Sequence, residues 1–303
     1  MAKLSATSVA VLIGLMQIAV IFACNCEVKH PQTQFKEANF VVRAKILAKH
    51  NDREAGDSSS GLISYLEYEV KIDKIFKGRR YIQSNVVNML TPDVGSCGIT
   101  SLKPGTKYLI SGSYDADDSA FYLNVCSWVE EWSALTKEQK KGLKSTYRTK
   151  CRKCDVPAVS GPELVMMFID PRAPSNILEQ PSQLYSLSGM WASEPGSCTF
   201  NPVDSWQFPT LDCETQFTYC MENQREGCGW LINEKYKDCF IDRETAWAKR
   251  ELRKASQGGS LRGRTMRIGG QRLGCFLDTP EDEFNKCLRR EVAKIVTQYL
   301  RQD

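Results

Sequence analysis

The chain has thirteen cysteines, and none of them lies before Cys24. Thirteen thiols are a liability in a reducing cytosol and a cross-linking framework in an oxidising compartment, so they predict a disulfide-held, secreted protein. The odd count leaves at least one cysteine free or joined to a second chain. The first two stand as Cys24-Asn25-Cys26, and everything ahead of them reads as removable. Residues 1–23 carry one positive charge, Lys3, an apolar run through Ile18, Val20 and Phe22, and the small residue Ala23 at the end. That is the pattern of a secretory signal peptide, too short in its apolar part for a good membrane anchor. No later stretch approaches the ~20 apolar residues of a spanning helix. Cleavage after Ala23 makes Cys24 the first residue, a free α-amine beside a half-cystine.

Residues 24–303 are enough for two compact units. The formal charge of +4 is weakly basic and excludes little by itself. Alternating apolar positions predict strands over 40–47, 63–76, 85–90, 107–112 and 120–125, with a mobile polar loop at 52–61. Short strands broken at Pro92, Pro104-Gly105 and the acidic turn 115–118 suggest a small closed barrel or sandwich. Thr136 and Gln139 stand in capping-box spacing, and Leu135, Leu143 and Tyr147 give the following helix an apolar face for the barrel.

Beyond Cys154 the pattern weakens. Residues 156–212 read as loop-rich, with a strand at 164–169. Asp242-Arg243-Glu244-Thr245 predicts a helix cap, with the helix running to about Lys254. Thr279-Pro280-Glu281-Asp282 starts another, whose face of Phe284, Leu288, Val292, Ile295, Val296 and Tyr299 packs inward.

His30-Pro31-Gln32-Thr33-Gln34-Phe35, Val42-Arg43-Ala44-Lys45, Tyr68-Glu69-Val70-Lys71-Ile72, Phe76-Lys77-Gly78, Cys97-Gly98 and Cys126-Ser127-Trp128 follow one another in a recognisable order. In that order and spacing, and with a Cys-x-Cys start after a signal peptide, residues 24–151 resemble the tissue inhibitors of metalloproteinases. The resemblance implies a mainly β domain, a five-stranded netrin-like OB-fold barrel with flanking helices, followed by a disulfide-rich mixed region. The domains expected are the signal peptide 1–23, an inhibitory domain 24–151, a divergent region 152–212 and a cysteine-rich module 213–303.

The same resemblance pairs Cys24 with Cys97 and Cys26 with Cys126, and it makes the chain an inhibitor of extracellular zinc metalloproteinases. Catalytic zinc keeps an open position that takes nitrogen and oxygen donors. The amine and carbonyl of Cys24 fill it together, with no cofactor of the inhibitor's own, while Asn25, Cys26, Gly95, Ser96 and Cys97 touch the protease. Where the family has a third barrel cysteine this chain has Lys36, so Cys151 loses its expected partner and is free, or joins two chains as a disulfide-linked dimer. Cys154 is expected to pair with Cys198, whose surroundings look like the end of the family's second domain. That leaves Cys213, Cys220, Cys228, Cys239, Cys275 and Cys287 for three further pairs. An alignment placing Cys228-Gly229-Trp230-Leu231 inside that second domain stays open.

Other readings of the same residues are blander. His30 and His50 are the two histidines and neither sits in an H-E-x-x-H pattern, so His30 is expected to be structural. Cys151-x-x-Cys154 has no second such pair to complete a zinc site. Nothing points to an enzyme. Residues 249–273 hold Arg250, Arg253, Lys254, Arg262, Arg264 and Arg267 against one acid. In a secreted protein such a run suits sulfated glycosaminoglycan or acidic matrix rather than nucleic acid. The alternative function is a netrin-like matrix-binding protein that inhibits no protease.

Overall fold

The computed structural model describes residues 24, 26–53, 64–93, 96–157, 196–198, 212–223, 227–257, 267–268, 271–272, 275 and 280–299. The expected signal peptide and the strand at 164–169 lie outside the described residues, as do Asn25 and Gly95.

Helix α1 (Pro31–Glu37) opens the N-terminal half. The barrel then forms from β1 (Phe40–Arg53), β2 (Tyr65–Lys77), β3 (Val86–Pro92), β4 (Lys107–Asp115) and β5 (Ala120–Tyr122). The strands run in the order β1-β2-β3-β5-β4, and β4 returns to β1 to close the ring. Its closing register runs from Phe40 opposite Gly112 to Lys45 opposite Lys107. The β3–β5 pairing is parallel and the rest antiparallel, which makes a mixed five-strand barrel. A sixth strand, β6 (Val129–Glu131), lies on β4 beyond the end of β5.

Alternation on β1 explains the closure. Phe40, Val42, Ala44 and Ile46 are all fully buried in the barrel interior, while Arg43 and Lys45 point outward. Register shifts along the β1–β2 pairing supply the bulges that bend a long strand around a small barrel. β1 extends to Arg53, into the loop that the sequence predicts from Asp52, because its last residues pair with the start of β2, Arg53 opposite Tyr65.

A second apolar layer covers one flank of the barrel. Val41, Phe76, Leu109 and Trp128 face outward there and are sealed by Phe35 of α1 and by Leu135, Leu143 and Tyr147. Helix α2 (Lys137–Lys141) runs on through a wide turn at Gly142–Thr146 to Tyr147–Thr149. Both bonds of its capping box form: Gln139 N donates to Thr136 Oγ1 at 3.1 Å, and Thr136 N donates to Gln139 Oε1 at 2.8 Å.

The C-terminal region holds α3 (Cys213–Phe217), the hairpin β7 (Cys220–Asn223) with β8 (Gly227–Trp230), and α4 (Glu234–Gln257). A short hairpin, β9 (Arg267–Ile268) with β10 (Gln271–Arg272), and α5 (Glu281–Tyr299) follow. Helix α4 starts earlier than the Asp242 cap predicts. Asn233 caps it by accepting from Tyr236 N at 3.0 Å, and Asp242 sits mid-helix, accepting from Arg289 Nε of α5 at 2.8 Å. Phe284, Leu288, Val292, Ile295 and Val296 of α5 pack with Tyr236, Phe240 and Ile241 of α4.

The expected Cys154–Cys198 pairing is replaced. Cys154 is bonded to Cys228, and Cys198 to Cys220. Asp155 pairs with Ser197 in a parallel bridge, so the segments around Cys154 and Cys198 run side by side. The hairpin register sets Cys228 opposite Glu222, which places Cys220 and Cys228 diagonally on one face of β7–β8. Each of the two parallel segments reaches one of these hairpin sulfurs. Cys213–Cys239 and Cys275–Cys287 complete the set, and Cys151 is free and buried.

Candidate functional site

Cys24 is exposed, and its disulfide to Cys97 spans a Cα–Cα distance of 5.7 Å. Two residues later Cys26 is bonded to Cys126 across 5.2 Å. The described part of the segment is therefore held at both sides of Asn25 by bonds to two separate places on the barrel.

Both anchor points are stiff for local reasons. The ridge carrying Ser96 and Cys97 follows β3. Asp93 folds it back, its carboxylate accepting from Ser96 N at 3.0 Å and its carbonyl from Gly98 N at 3.0 Å. Cys97 sits at φ 69°, in the left-handed region that costs a side-chain-bearing residue energy, so the surrounding bonds must impose it. Gly98 has no alternative, since a Cβ there would lie 1.5 Å from the Pro92 carbonyl oxygen. Thr91 Oγ1 accepts from Ile99 N at 2.8 Å and pins the far side of the ridge.

The other anchor is a turn built on Asn124. Its side chain accepts from Cys126 N at 2.9 Å, while Ser127 Oγ accepts from Asn124 N at 3.1 Å. Val125 N donates to the Cys97 carbonyl at 2.9 Å, which ties the two anchors to each other. Asp93, Asn124 and Ser127 escape the sequence reading as site residues. Their signal is present in outline, as Asp and Asn are the residues that close turns with their own side chains.

Behind the tethered segment, His30 and Gln32 are buried. His30 caps α1, with Nδ1 accepting from Gln32 N at 3.2 Å and Nε2 donating to the Glu214 carbonyl at 3.0 Å. Its ring lies 5.2 Å from that of Trp230. Burial pushes its pKa down from 6.5 to about 4, so it is neutral. Glu214 itself is paired with Arg243 through two bonds of 2.6 and 2.9 Å and accepts from Tyr236 Oη at 3.1 Å. Burial alone would raise the Glu214 carboxyl, but the Arg243 charge and these bonds outweigh it and hold the group below its usual range.

Other predicted positions fall elsewhere. Cys151 is 1% exposed, and burial pushes its thiol up to about 12, so a disulfide to a second chain would need that packing opened. Arg250 is half-buried, Arg253 and Lys254 lie on α4, and Arg267 lies on β9, opposite Arg272. Arg262 and Arg264 lie outside the described residues. Among the described residues the one cluster with metal-ligand spacing is Cys154, Cys220 and Cys228, and all three sulfurs belong to disulfides.

The model of one protein family, described as tissue inhibitor of metalloproteinase, matches residues 22–168. The chain is 30% identical to Metalloproteinase inhibitor 2 of Homo sapiens over 145 residues, 46% of this chain and 64% of that protein. It is 30% identical to Metalloproteinase inhibitor 2 of Rattus norvegicus over 153 residues, 48% of this chain and 68% of that protein. For the Gallus gallus protein of the same name the figures are 32% over 130 residues, 43% and 58%. The match thus spans roughly three fifths to two thirds of each of these relatives.

Proposed function

The chain belongs to the tissue inhibitor of metalloproteinase family, and from that premise we propose that it is a secreted inhibitor of zinc metalloendopeptidases, acting through Cys24 after removal of residues 1–23. The α-amine and carbonyl oxygen of Cys24 close a five-membered chelate on the catalytic zinc of the target and displace the water that would attack the substrate. Asn25 enters the pocket beside the zinc, and Cys26, Gly95, Ser96 and Cys97 make the adjoining contact. The inhibitor supplies the ligand atoms and the protease supplies the metal.

The observation that carries this reading is the double tether, Cys24 to Cys97 and Cys26 to Cys126. A loose terminus would lose its freedom on binding, and that loss subtracts from affinity. A terminus fixed at its first and third residues has lost it already. A free α-amine titrates near ~8, and only its neutral form binds metal, so inhibition should weaken in acid.

The test is titration of a panel of zinc endopeptidases with the processed, oxidised protein and with a form carrying one extra alanine before Cys24. Tight inhibition by the first and its loss in the second is the expected result, because the extra residue turns the amine into an amide. Equal inhibition by both forms would overturn the chelate, and no inhibition by either would leave the barrel as a matrix-binding scaffold.

A further inference from the structure

Helix α2 and the wide turn that continues it bury Leu143, Thr146 and Tyr147 against the barrel flank. The side turned to solvent is basic: Lys137, Lys141, Lys144, Arg148, Lys150 and Arg152 are all exposed. The first four stand three or four residues apart, so each faces the next across one turn, on the order of 5–6 Å.

Like charges at that spacing work against a helix. Lys137 also stands in the first turn of α2, where a cation opposes the helix dipole. Among the described residues none of the six has a carboxylate within ion-pair distance. The acids close by are engaged elsewhere, Glu138 with Lys235 of α4 at 3.4 Å and Glu222 with Lys153 at 3.0 Å. A similar row on α5, Lys286, Arg290 and Lys294, is balanced within its own helix, where Glu291 lies 3.6 Å from Arg290 Nε and 2.7 Å from Lys294 Nζ.

We propose that the basic face of residues 137–152 docks an acidic α-helix of another protein. A convex helix face gives a small anion no enclosure, so the occupant must bring several charges at once. Carboxylates one helical turn apart, at a pitch of about 5.4 Å, stay in step with cations one turn apart. An extended peptide repeats on one side every ~6.6 Å and falls out of step within a few charges. Arg148 and Arg152 present flat forks that take a carboxylate through two parallel bonds, and exposed Ser145 adds a hydroxyl donor between Lys144 and Arg148. Helix α4 of a second copy offers Glu234, Asp238 and Asp242 at the same spacing, but Asp242 is already held by Arg289 at 2.8 Å, which leaves two acids against six cations.

The experiment is fluorescence anisotropy of the full, processed and oxidised protein with a labelled alanine-rich peptide whose four glutamates are spaced by four, three and four residues. No protease is present, so the outcome is independent of inhibition. The peptide should bind, gain helix on binding by circular dichroism, and weaken as salt rises. Lys141→Gln, Lys144→Gln and Arg148→Gln together should bind about tenfold more weakly, three exposed ion pairs amounting to roughly one decade. The same variant should unfold at an unchanged or higher temperature, because opposed charges have been removed. Lys286→Gln, Arg290→Gln and Lys294→Gln on α5 remove the same charge and should bind the peptide as the parent does. Equal affinity for a peptide of the same composition with its glutamates scattered around the helix, a bound peptide that stays unfolded, or equal loss in the α5 variant would overturn the proposal. Sedimentation showing a dimer of the parent and a monomer of the α2 variant would give the face to a second copy. Loss of retention on heparin by the α2 variant with peptide binding unchanged would give it to a polysaccharide, and either result would overturn the proposal as well.

Discussion

The Nε2 atom of His30 lies 3.0 Å from the carbonyl oxygen of Glu214, 184 residues further along the chain. Two residues away, Gln32 Nε2 donates to the Cys154 carbonyl at 3.0 Å and Gln32 Oε1 accepts from Cys220 N at 3.0 Å. Thr33 Oγ1 donates to the Val156 carbonyl at 3.0 Å. Helix α1 is therefore the splice between the barrel and the C-terminal region, with its polar side chains satisfied by the other region's backbone. The α2 capping box adds a second splice, as Thr136 Oγ1 donates to the Gln216 carbonyl at 2.6 Å.

The splice makes stability depend on pH. His30 is held at about 4 when folded and titrates near 6.5 when released, so between these values the unfolded chain binds more protons. Its contribution is fully present above pH ~6.5 and is lost as pH falls toward ~4, at most about 3 kcal/mol. Urea unfolding of the parent and of His30→Gln from pH 4 to 7.5 should show a steeper decline in the parent. Parallel curves would assign the dependence to other groups.

The buried pair of Arg243 and Glu214 should respond asymmetrically. Arg243→Met alone strands a buried carboxylate and should cost about 3–5 kcal/mol, whereas Arg243→Met with Glu214→Gln should recover much of that loss. Thermal unfolding of both variants checks the difference. Equal destabilisation would mean the charge of Glu214 is not what matters.

Gly98→Ala should damage the ridge while leaving the barrel folded. The new methyl meets the Pro92 carbonyl, so the 93–98 turn must open and Cys97 must shift. Inhibition constants should rise by about tenfold or more, on the scale of 1.4 kcal/mol per decade, with little change in the far-ultraviolet circular dichroism. Unchanged inhibition would show that the ridge is not needed to position Cys24.

Cys151 should be silent to thiol reagents in the native protein and give one reactive thiol per chain after denaturation, because burial both hides it and keeps it protonated. In place of a cystine, Lys36 at the end of α1 forms an ion pair with Asp155. Lys36→Cys should recover the missing barrel bridge to Cys151, leaving no thiol in denaturant and adding about 2–4 kcal/mol of stability. Two titratable thiols in that variant would show that α1 does not bring position 36 within reach.

The barrel was legible because its strands alternate cleanly, as Phe40, Val42, Ala44 and Ile46 show. β6 was not, since three residues at Val129–Glu131 are too few to carry a period. Helix α1 was missed for a related reason. Its signals are a cap at His30 and a proline in the first turn, while much of its face is buried through polar atoms of Gln32 rather than through apolar residues. The tethered Cys24 and Cys26 stood out from position alone. Their supports at Asp93 and Asn124 did not, because a turn closed by its own side chains looks like any other turn in one dimension. The Cys154–Cys198 expectation failed through proximity: the segments do run side by side, and the hairpin sulfurs of Cys220 and Cys228 lie close enough to take one cysteine from each.

The bond between Cys154 and Cys228 carries a consequence for a chain that has been cut. A peptide bond cut anywhere between residues 158 and 195 would divide the polypeptide but not the protein, because the barrel half would stay covalently joined to the hairpin half. Such a nicked chain would migrate as one species until reduced, then fall into two fragments. A protease that attacked this stretch would gain no release of the barrel from its partner region.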